Sequence, residues 1–114
     1  MKIIIVGCGK VGCTLAEQLC NEQHEVVAID TNPERIQELA EDLDVMGITG
    51  NGSSISVLSE AGIEDADILI TVTGSDELNL LCCLIAKKVS KCHTIARVRN
   101  PLYHKEMHFI KKSL

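Results

Sequence analysis

Aromatic residues are nearly absent from this 114-residue sequence, which contains no tryptophan, one tyrosine and one phenylalanine. Proteins that bind single-stranded nucleic acid stack the bases on aromatic side chains, and the sequence also has no nucleic-acid-binding motif. We therefore expect no nucleic-acid partner. A core without aromatic rings must be built from β-branched residues and leucine, which is typical of doubly wound α/β domains.

A complete set of metal-ligating residues is also missing. The six cysteines include no C-x-x-C pair, and the sequence indicates no third ligand for His104 and His108, which are four positions apart. We predict no metal site and expect the cysteines to be mostly small, buried core residues. Cys8 is the exception, because it lies in a glycine-rich turn and could be modified there.

Long apolar runs are absent as well. No run approaches the roughly 20 residues of a membrane-spanning helix, and the N-terminus does not resemble a signal peptide.

A chain of 114 residues is long enough for one domain but too short for a nucleotide domain plus a separate catalytic domain. We therefore expect no catalytic residues. The last predicted helix shows no C-terminal cap before the sequence stops at Leu114, so we expect residues 1–114 to be one domain of a longer chain.

Charge is divided unevenly along the chain. Residues 1–76 contain 14 acidic and 3 basic residues, a net charge of −11, whereas residues 77–114 contain 2 acidic and 8 basic residues, a net charge of +6. The positive segment could face a phosphate ligand, an acidic partner or a membrane surface, or form a solvated helix face.

The most informative stretch is residues 3–12, Ile-Ile-Ile-Val-Gly-Cys-Gly-Lys-Val-Gly. Four consecutive β-branched residues indicate a parallel strand that is buried on both faces. Gly7, Gly9 and Gly12 then match G-x-G-x-x-G: the first makes a tight turn, the second lets the backbone approach a pyrophosphate, and the third lets the helix pack on the strand. We expect an anion at the N-terminus of the helix that follows.

A carboxylate lies at a suitable distance from this turn. Asp30 ends a second apolar run, eighteen positions after Gly12, close to the roughly 20 residues expected before the carboxylate that binds a ribose. An acidic residue here favours an unphosphorylated ribose over one with a 2′-phosphate. The two features predict a nucleotide site, although a βαβ turn without a ligand is the alternative.

Alternating strand and helix patterns predict the rest of the fold. Strands are predicted at 3–6, 25–30, 45–49, 68–72 and 94–99, and helices at 10–21, 54–61 and 76–90, with two more that begin at Pro33 and Pro101. The apolar stripe of the helix at Pro33 is predicted to be Ile36, Leu39, Ala40 and Leu43. We predict a Rossmann-type α/β fold, a doubly wound parallel sheet with strand order 3-2-1-4-5 between two helical layers.

Three further segments are predicted to border the ligand, since ligands of such folds bind beyond the carboxyl ends of the strands. Asn51 follows the third strand, Thr73 and Gly74 follow the fourth, and Arg97 lies in the fifth on the same face as Arg99. Arg97 is expected to contact a phosphate, with a surface ion pair as the alternative.

The helix at 76–90 contains an uninterrupted apolar run over residues 80–86. A helix that is apolar on all sides is buried on all sides. One face is expected to cover the sheet, and the other, together with the helix from Pro101 to Leu114, to pack against a second subunit. Ser75 is expected to cap this helix rather than to act in catalysis.

In this order, the motifs resemble the N-terminal domains of TrkA proteins, the peripheral regulatory subunits of prokaryotic Trk potassium-uptake systems, and the related RCK or KTN domains. The resemblance rests on the glycine turn, on Asp30 with Pro33-Glu34-Arg35, and on residues 50–53, 61–67, 73–79 and 96–101. It covers nearly the whole chain.

This resemblance implies a regulatory domain, not a dehydrogenase, that binds NAD or NADH, or alternatively ATP or ADP. It also implies a homodimer or higher homo-oligomer on the cytoplasmic face of the membrane, in contact with a membrane-embedded potassium transporter subunit. Carried over by position, the ligand contacts are Gly7, Cys8, Gly9, Lys10, Val11, Gly12, Asp30, Thr31, Asn51, Gly52, Thr73, Gly74 and Arg97.

The alternative function is the cofactor-binding half of an NAD-dependent dehydrogenase. Hydride transfer needs a substrate pocket and a positioned acid–base group, neither of which a single domain of this size is expected to supply. Sequence beyond this domain distinguishes the two functions. A substrate domain with a catalytic histidine or lysine would favour the enzyme, whereas a small ligand domain or a second copy of this unit would favour the regulator.

Overall fold

The computed structural model describes residues 1–106, which contain one parallel sheet in the predicted order β3-β2-β1-β4-β5. Its strands are β1 (Lys2–Val6), β2 (Glu25–Asp30), β3 (Met46–Thr49), β4 (Ile68–Thr71) and β5 (His93–Ala96). The helices are α1 (Lys10–Asn21), α2 (Pro33–Asp42), α3 (Ile55–Glu60) and α4 (Asp76–Val89). A 3₁₀ turn lies at Ile63–Asp65, and residues 101–106 are helical.

Successive side chains of a strand point to opposite faces of the sheet, and helices cover both faces, so the sheet has a core layer on each side. One layer of the core, under α1 and α2, includes Ile3, Ile5, Ala16, Ile36 and Leu39. The other layer, under α3 and α4, includes Ile4, Val6, Leu58, Leu69, Cys82 and Ala86. The predicted three-layer architecture is confirmed, and both faces of β1 lie in the core.

Strand β1 occupies the point where the direction of winding changes. Ile5 of β1 pairs with Ala28 of β2 on one side and with Ile70 of β4 on the other. The loops that follow β1 and β4 therefore leave the same edge of the sheet and diverge to opposite faces. In open parallel sheets this divergence produces a crevice beyond the carboxyl ends of the strands.

The fifth strand is shorter than its alternating sequence predicts. It ends at Ala96 because its partner β4 ends at Thr71, with which Ala96 pairs. Beyond that point the amides of Arg99 and Asn100 donate to the Asp76 carboxylate, over 3.0 and 2.8 Å, instead of to a neighbouring strand. The prediction of a strand through residue 99 is therefore wrong.

One prediction about helix burial also needs correction. Ala40 is exposed, so the buried stripe of α2 consists of Ile36 and Leu39. In helix α4 one side is buried, whereas 44% of Leu81 is exposed. Its buried residues, which face the sheet, are Asn79, Cys82, Cys83 and Ala86. Contact of the exposed side with a second subunit stays a prediction.

Part of the last predicted helix lies outside the described residues. This applies to residues 107–114, which include His108 of the histidine pair. Among residues 1–106, no helix combines the length and the apolar character needed to cross a bilayer.

The glycine turn between β1 and α1 depends on one unusual backbone angle and one close approach of the backbone. Gly7 has a φ of +105°, which favours glycine over residues with a Cβ. A Cβ added to Gly12 would lie on the carbonyl oxygen of Gly7. The first and third glycines of the motif are therefore required by the fold itself.

We expect Gly12→Ala to lower the free energy of unfolding by about 3 kcal/mol, because the overlap with Gly7 would force α1 away from β1. Gly74→Ala is the control, since a Cβ at Gly74 would meet no atom within 4 Å. Urea denaturation followed by circular dichroism measures both variants. Equal unfolding midpoints for Gly12→Ala and the wild type would contradict the close packing.

Candidate functional site

A cleft of about 420 Å³ lies beyond the carboxyl ends of the strands. Its walls include residues of the loops after all five strands, among them Gly9, Asp30, Asn51, Thr73 and Arg97. Small-molecule sites are typically clefts of about 300–1,000 Å³. Its size and position therefore match those of a ligand site in a doubly wound sheet.

Most of the residues predicted to contact a ligand line this cleft. They are Gly7, Gly9, Lys10, Val11, Asp30, Thr31, Asn51, Gly52, Thr73, Gly74 and Arg97, whereas Cys8 and Gly12 lie outside its wall. The cleft is also lined by residues that were not among the predicted ligand contacts, namely Val6, Ile29, Arg35, Gly50, Val72, Leu78 and Arg99. The fold brings the predicted residues together, and their contact with a ligand stays a prediction.

Helix α1 begins at the cleft without a side-chain cap. Its N-cap residue is Gly9, and its first turn contains no acidic residue. By contrast, Asn32, Ser54 and Ser75 cap α2, α3 and α4 through their side-chain oxygens, as predicted for Ser75. The first N–H groups of α1 therefore have no capping side chain and lie at the positive end of the helix dipole. An anion in the cleft would satisfy them.

Asp30 is buried at the end of β2, with 9% of its surface exposed. Its Oδ2 accepts a hydrogen bond from the Cys8 amide at 2.7 Å, and its Oδ1 accepts one from the Asn32 amide at 2.8 Å. The carboxylate thus joins the glycine turn to the start of α2, a role that sequence spacing does not predict. Because a carboxylate has about four acceptor sites, capacity remains for ribose hydroxyl groups.

Basic side chains outnumber acidic ones in the cleft. Lys10, Arg35, Arg97 and Arg99 line it, and Asp30 is its one carboxylate within the described part of the chain. Nη1 of Arg35 lies 3.7 Å from Oδ2 of Asp30, so these two charges partly compensate each other. The rest of the positive charge in the lining lies with Lys10 and the two arginines after β5, and it favours an anionic ligand.

Arg97 follows β5 and is fixed by backbone groups. Its Nη2 donates to the carbonyl oxygens of Val72, at 2.9 Å, and Thr73, at 2.7 Å. In residues 1–106, its Nε is the one buried side-chain nitrogen or oxygen without a hydrogen-bond partner. Because carbonyl groups rather than a carboxylate hold the guanidinium, its positive charge stays available at the cleft. Contact with a phosphate stays a prediction.

Cys8 is not the accessible thiol that its position in the turn suggested. Its side chain is 2% exposed, and burial, followed by the nearby Asp30 carboxylate, raises the pKa of the thiol to about 12. The thiol is therefore protonated at neutral pH and shielded from reagents. The geometry does not support the expectation that Cys8 could be modified, and its amide contributes to the site through Asp30.

Comparisons with known proteins show what this chain is similar to. The family model for the TrkA-N domain matches residues 3–111. Over 104 residues the sequence is 47% identical to the Trk system potassium uptake protein TrkA of Halomonas elongata, which covers 90% of this chain and 23% of that protein. The chain therefore spans about a quarter of the length of this curated relative.

Two solved structures have the same fold. The GsuK channel bound to NAD superposes with a TM-score of 0.82 at 23% identity, over 96% of this chain and 20% of that chain. The Kef CTD of Shewanella denitrificans in its AMP-bound form has a TM-score of 0.82 at 20% identity, over 96% of this chain and 67% of that chain. At these identities the likeness concerns the fold alone.

We expect the Asp76 carboxylate to make the stability of the fold depend on pH. Its hydrogen bonds from the amides of Arg99 and Asn100 hold its pKa below the usual range. The unfolded chain therefore binds this proton more readily than the folded chain. As a result, the contribution of Asp76 to stability is present above about pH 4 and is lost as the pH falls further.

We expect Asp76→Asn to unfold at a lower urea concentration than the wild type at pH 7, because the amide cannot accept both hydrogen bonds as a carboxylate does. The difference between the two midpoints should shrink as the pH is lowered from about 5 to about 3. Urea titrations at a series of pH values measure it. A difference that stays constant over this range would contradict the assigned role.

Proposed function

Because this chain belongs to the TrkA-N domain family, we propose that it is a nucleotide-binding regulatory domain of a Trk-type potassium-uptake system. In this proposal residues 1–114 form one nucleotide-binding domain, and the occupancy of its cleft controls a membrane-embedded potassium transporter subunit. The name of the H. elongata relative supports the transport system, and the chemistry of the cleft supports the nucleotide.

One observation carries the nucleotide assignment: the uncapped N-terminus of α1 and the buried carboxylate of Asp30 border the same cleft. Free N–H groups at a helix start suit a diphosphate, and an oriented carboxylate suits the hydroxyl groups of a ribose. A nucleoside diphosphate has both groups next to each other, because its diphosphate is attached to the ribose. The cleft therefore matches this class of ligand at two chemically different points.

The proposed ligand is NAD or NADH, with ATP or ADP as the alternative. The two solved structures with the same fold are bound to NAD and to AMP, which share an adenosine with a 5′-phosphate. In our proposal Asp30, Thr31, Asn51 and Gly52 contact the adenosine part, whereas Thr73, Gly74 and Arg97 border the rest of the ligand. Arg97 and Arg99 favour an anionic group at that end, which is the argument for ATP or ADP.

We further propose that the domain acts as a homodimer or higher homo-oligomer at the cytoplasmic face of the membrane. Leu81 and Val89 of α4 are 44% and 37% exposed, and burial of such apolar surface in a subunit interface is favourable. The positive charge of residues 77–114 suits an acidic partner or a membrane surface.

A regulatory role is better supported than a dehydrogenase half. Within the described residues, no histidine lines the cleft, and its one carboxylate, Asp30, is held by two backbone amides. The described part of the cleft therefore offers neither a histidine nor a free carboxylate as an acid–base group for a substrate. The name of the curated relative also refers to potassium uptake rather than to a reaction. We therefore propose no catalytic function.

Calorimetric titration with NAD, NADH, ATP and ADP in parallel tests the proposal. We expect saturable binding of at least one of the four. Tighter binding of one redox form would identify a redox-linked sensor, and a preference between ATP and ADP would identify an energy-charge sensor. If none of the four binds, the proposed nucleotide function is wrong.

Asp30→Asn tests the ribose assignment in the same titration. We expect an affinity about tenfold lower, because the ribose hydroxyls lose charge-assisted hydrogen bonds. Asp44→Asn is the matched control: it removes the same charge at an exposed position before β3, at the opposite end of the sheet. Thermal melting confirms that both variants are folded. Wild-type affinity in a folded Asp30→Asn protein would rule out the ribose contact.

A further inference from the structure

Asn79 is a fully buried amide in the second turn of α4, and it does not line the cleft. Its Oδ1 accepts hydrogen bonds from the amide of Thr73 at 2.9 Å and from the hydroxyl of Thr73 at 2.7 Å. Its Nδ2 donates to the carbonyl oxygen of Thr73 at 3.2 Å and to that of Arg97 at 2.9 Å. The full donor and acceptor capacity of the amide is therefore used.

These four hydrogen bonds join the loop after β4 to the loop after β5. The carbonyl oxygen of Thr73 is shared: it accepts from Nδ2 of Asn79 and also from Nη2 of Arg97, at 2.7 Å. Together with the Val72 carbonyl, this carbonyl therefore sets where the guanidinium is held. Asn79 fixes the carbonyl and, through its second donation, the backbone of Arg97 itself.

We propose that Asn79 is a positioning residue for the nucleotide, because it orients the Thr73 carbonyl that directs the Arg97 guanidinium into the cleft. This inference rests on the proposed nucleotide function and adds to it a residue that does not touch the ligand. The amide is required because its opposite ends accept and donate. A carboxylate lacks the two donations, and an aliphatic side chain lacks all four bonds.

A double-mutant cycle with ADP as the probe separates positioning from general stability. Asn79→Ala and Arg97→Ala are each expected to weaken ADP binding about tenfold. If Asn79 acts through Arg97, the double variant binds ADP as Arg97→Ala alone does. Independent effects that multiply would overturn the proposal. Should Asn79→Ala fail to fold, Asn79→Leu replaces it, since it lacks the same four hydrogen bonds without leaving a cavity or adding a charge.

Thr71→Val is the matched control for loss of a buried polar group at the same place. The Thr71 side chain is fully buried, and its hydroxyl donates to the backbone carbonyl of Asn79 at 3.0 Å. We expect this variant to unfold at a lower urea concentration but to bind ADP as the wild type does. An affinity loss as large as that of Asn79→Ala would show that both act through stability alone, which would overturn the proposal.

Amide hydrogen exchange of the ligand-free protein distinguishes failure of this inference from failure of the proposed function. If the wild type does not bind ADP, the ADP assignment fails, but the link between the two loops is still measurable. The Thr73 amide should exchange faster in Asn79→Ala than in the wild type, whereas the Val72 amide, bonded to Val6 of β1, should stay protected in both. Equal exchange of Thr73 in the two proteins would overturn the inference.

Discussion

The buried carboxylate of Asp30 is the interaction on which the candidate site depends. A charged group that is 9% exposed is costly unless hydrogen bonds compensate for the lost water, and the amides of Cys8 and Asn32 supply them. These amides belong to the turns before α1 and α2, so one side chain sets where both helices begin relative to β2. A ribose entering the cleft would meet a carboxylate that is already oriented, which lowers the entropic cost of binding.

The three glycines of the turn have two different roles: two are required by the fold, and the remaining one fits the approach of a ligand. Gly7 has a left-handed φ and lies against the backbone of Val72 and Thr73, and a Cβ at Gly12 would collide with the backbone of Gly7, so the fold explains both glycines. Gly9 is different, since a Cβ there would meet only the guanidinium of Arg35, at 3.9 Å. The fold does not require a glycine at this position. Close approach of the proposed nucleotide to the backbone would explain it, and the missing cap on α1 fits the same proposal.

Sequence patterns predict those features of this domain that are local. The bounds of α1 and β2 follow from apolar periodicity, and the order of the sheet follows from the alternation of strands and helices. Contacts between distant residues are not encoded in such patterns. The hydrogen bonds of Asn79 to Arg97, 18 residues away, and of Asp30 to Cys8, 22 residues away, are examples. The end of β5 is another, because it depends on where β4 ends.

Helix α4 connects the cleft to the outer surface of the domain. A ligand regulates a partner only as far as it binds two arrangements of the protein with different affinity. At its start, α4 is joined through Asp76 and Asn79 to the loops that carry Arg97 and Arg99. Further along the same 14-residue helix, Leu81 is exposed. A ligand that shifts either loop must therefore break these bonds or move the start of α4. Because a helix moves as a rigid element, the second outcome carries the shift to the exposed apolar surface.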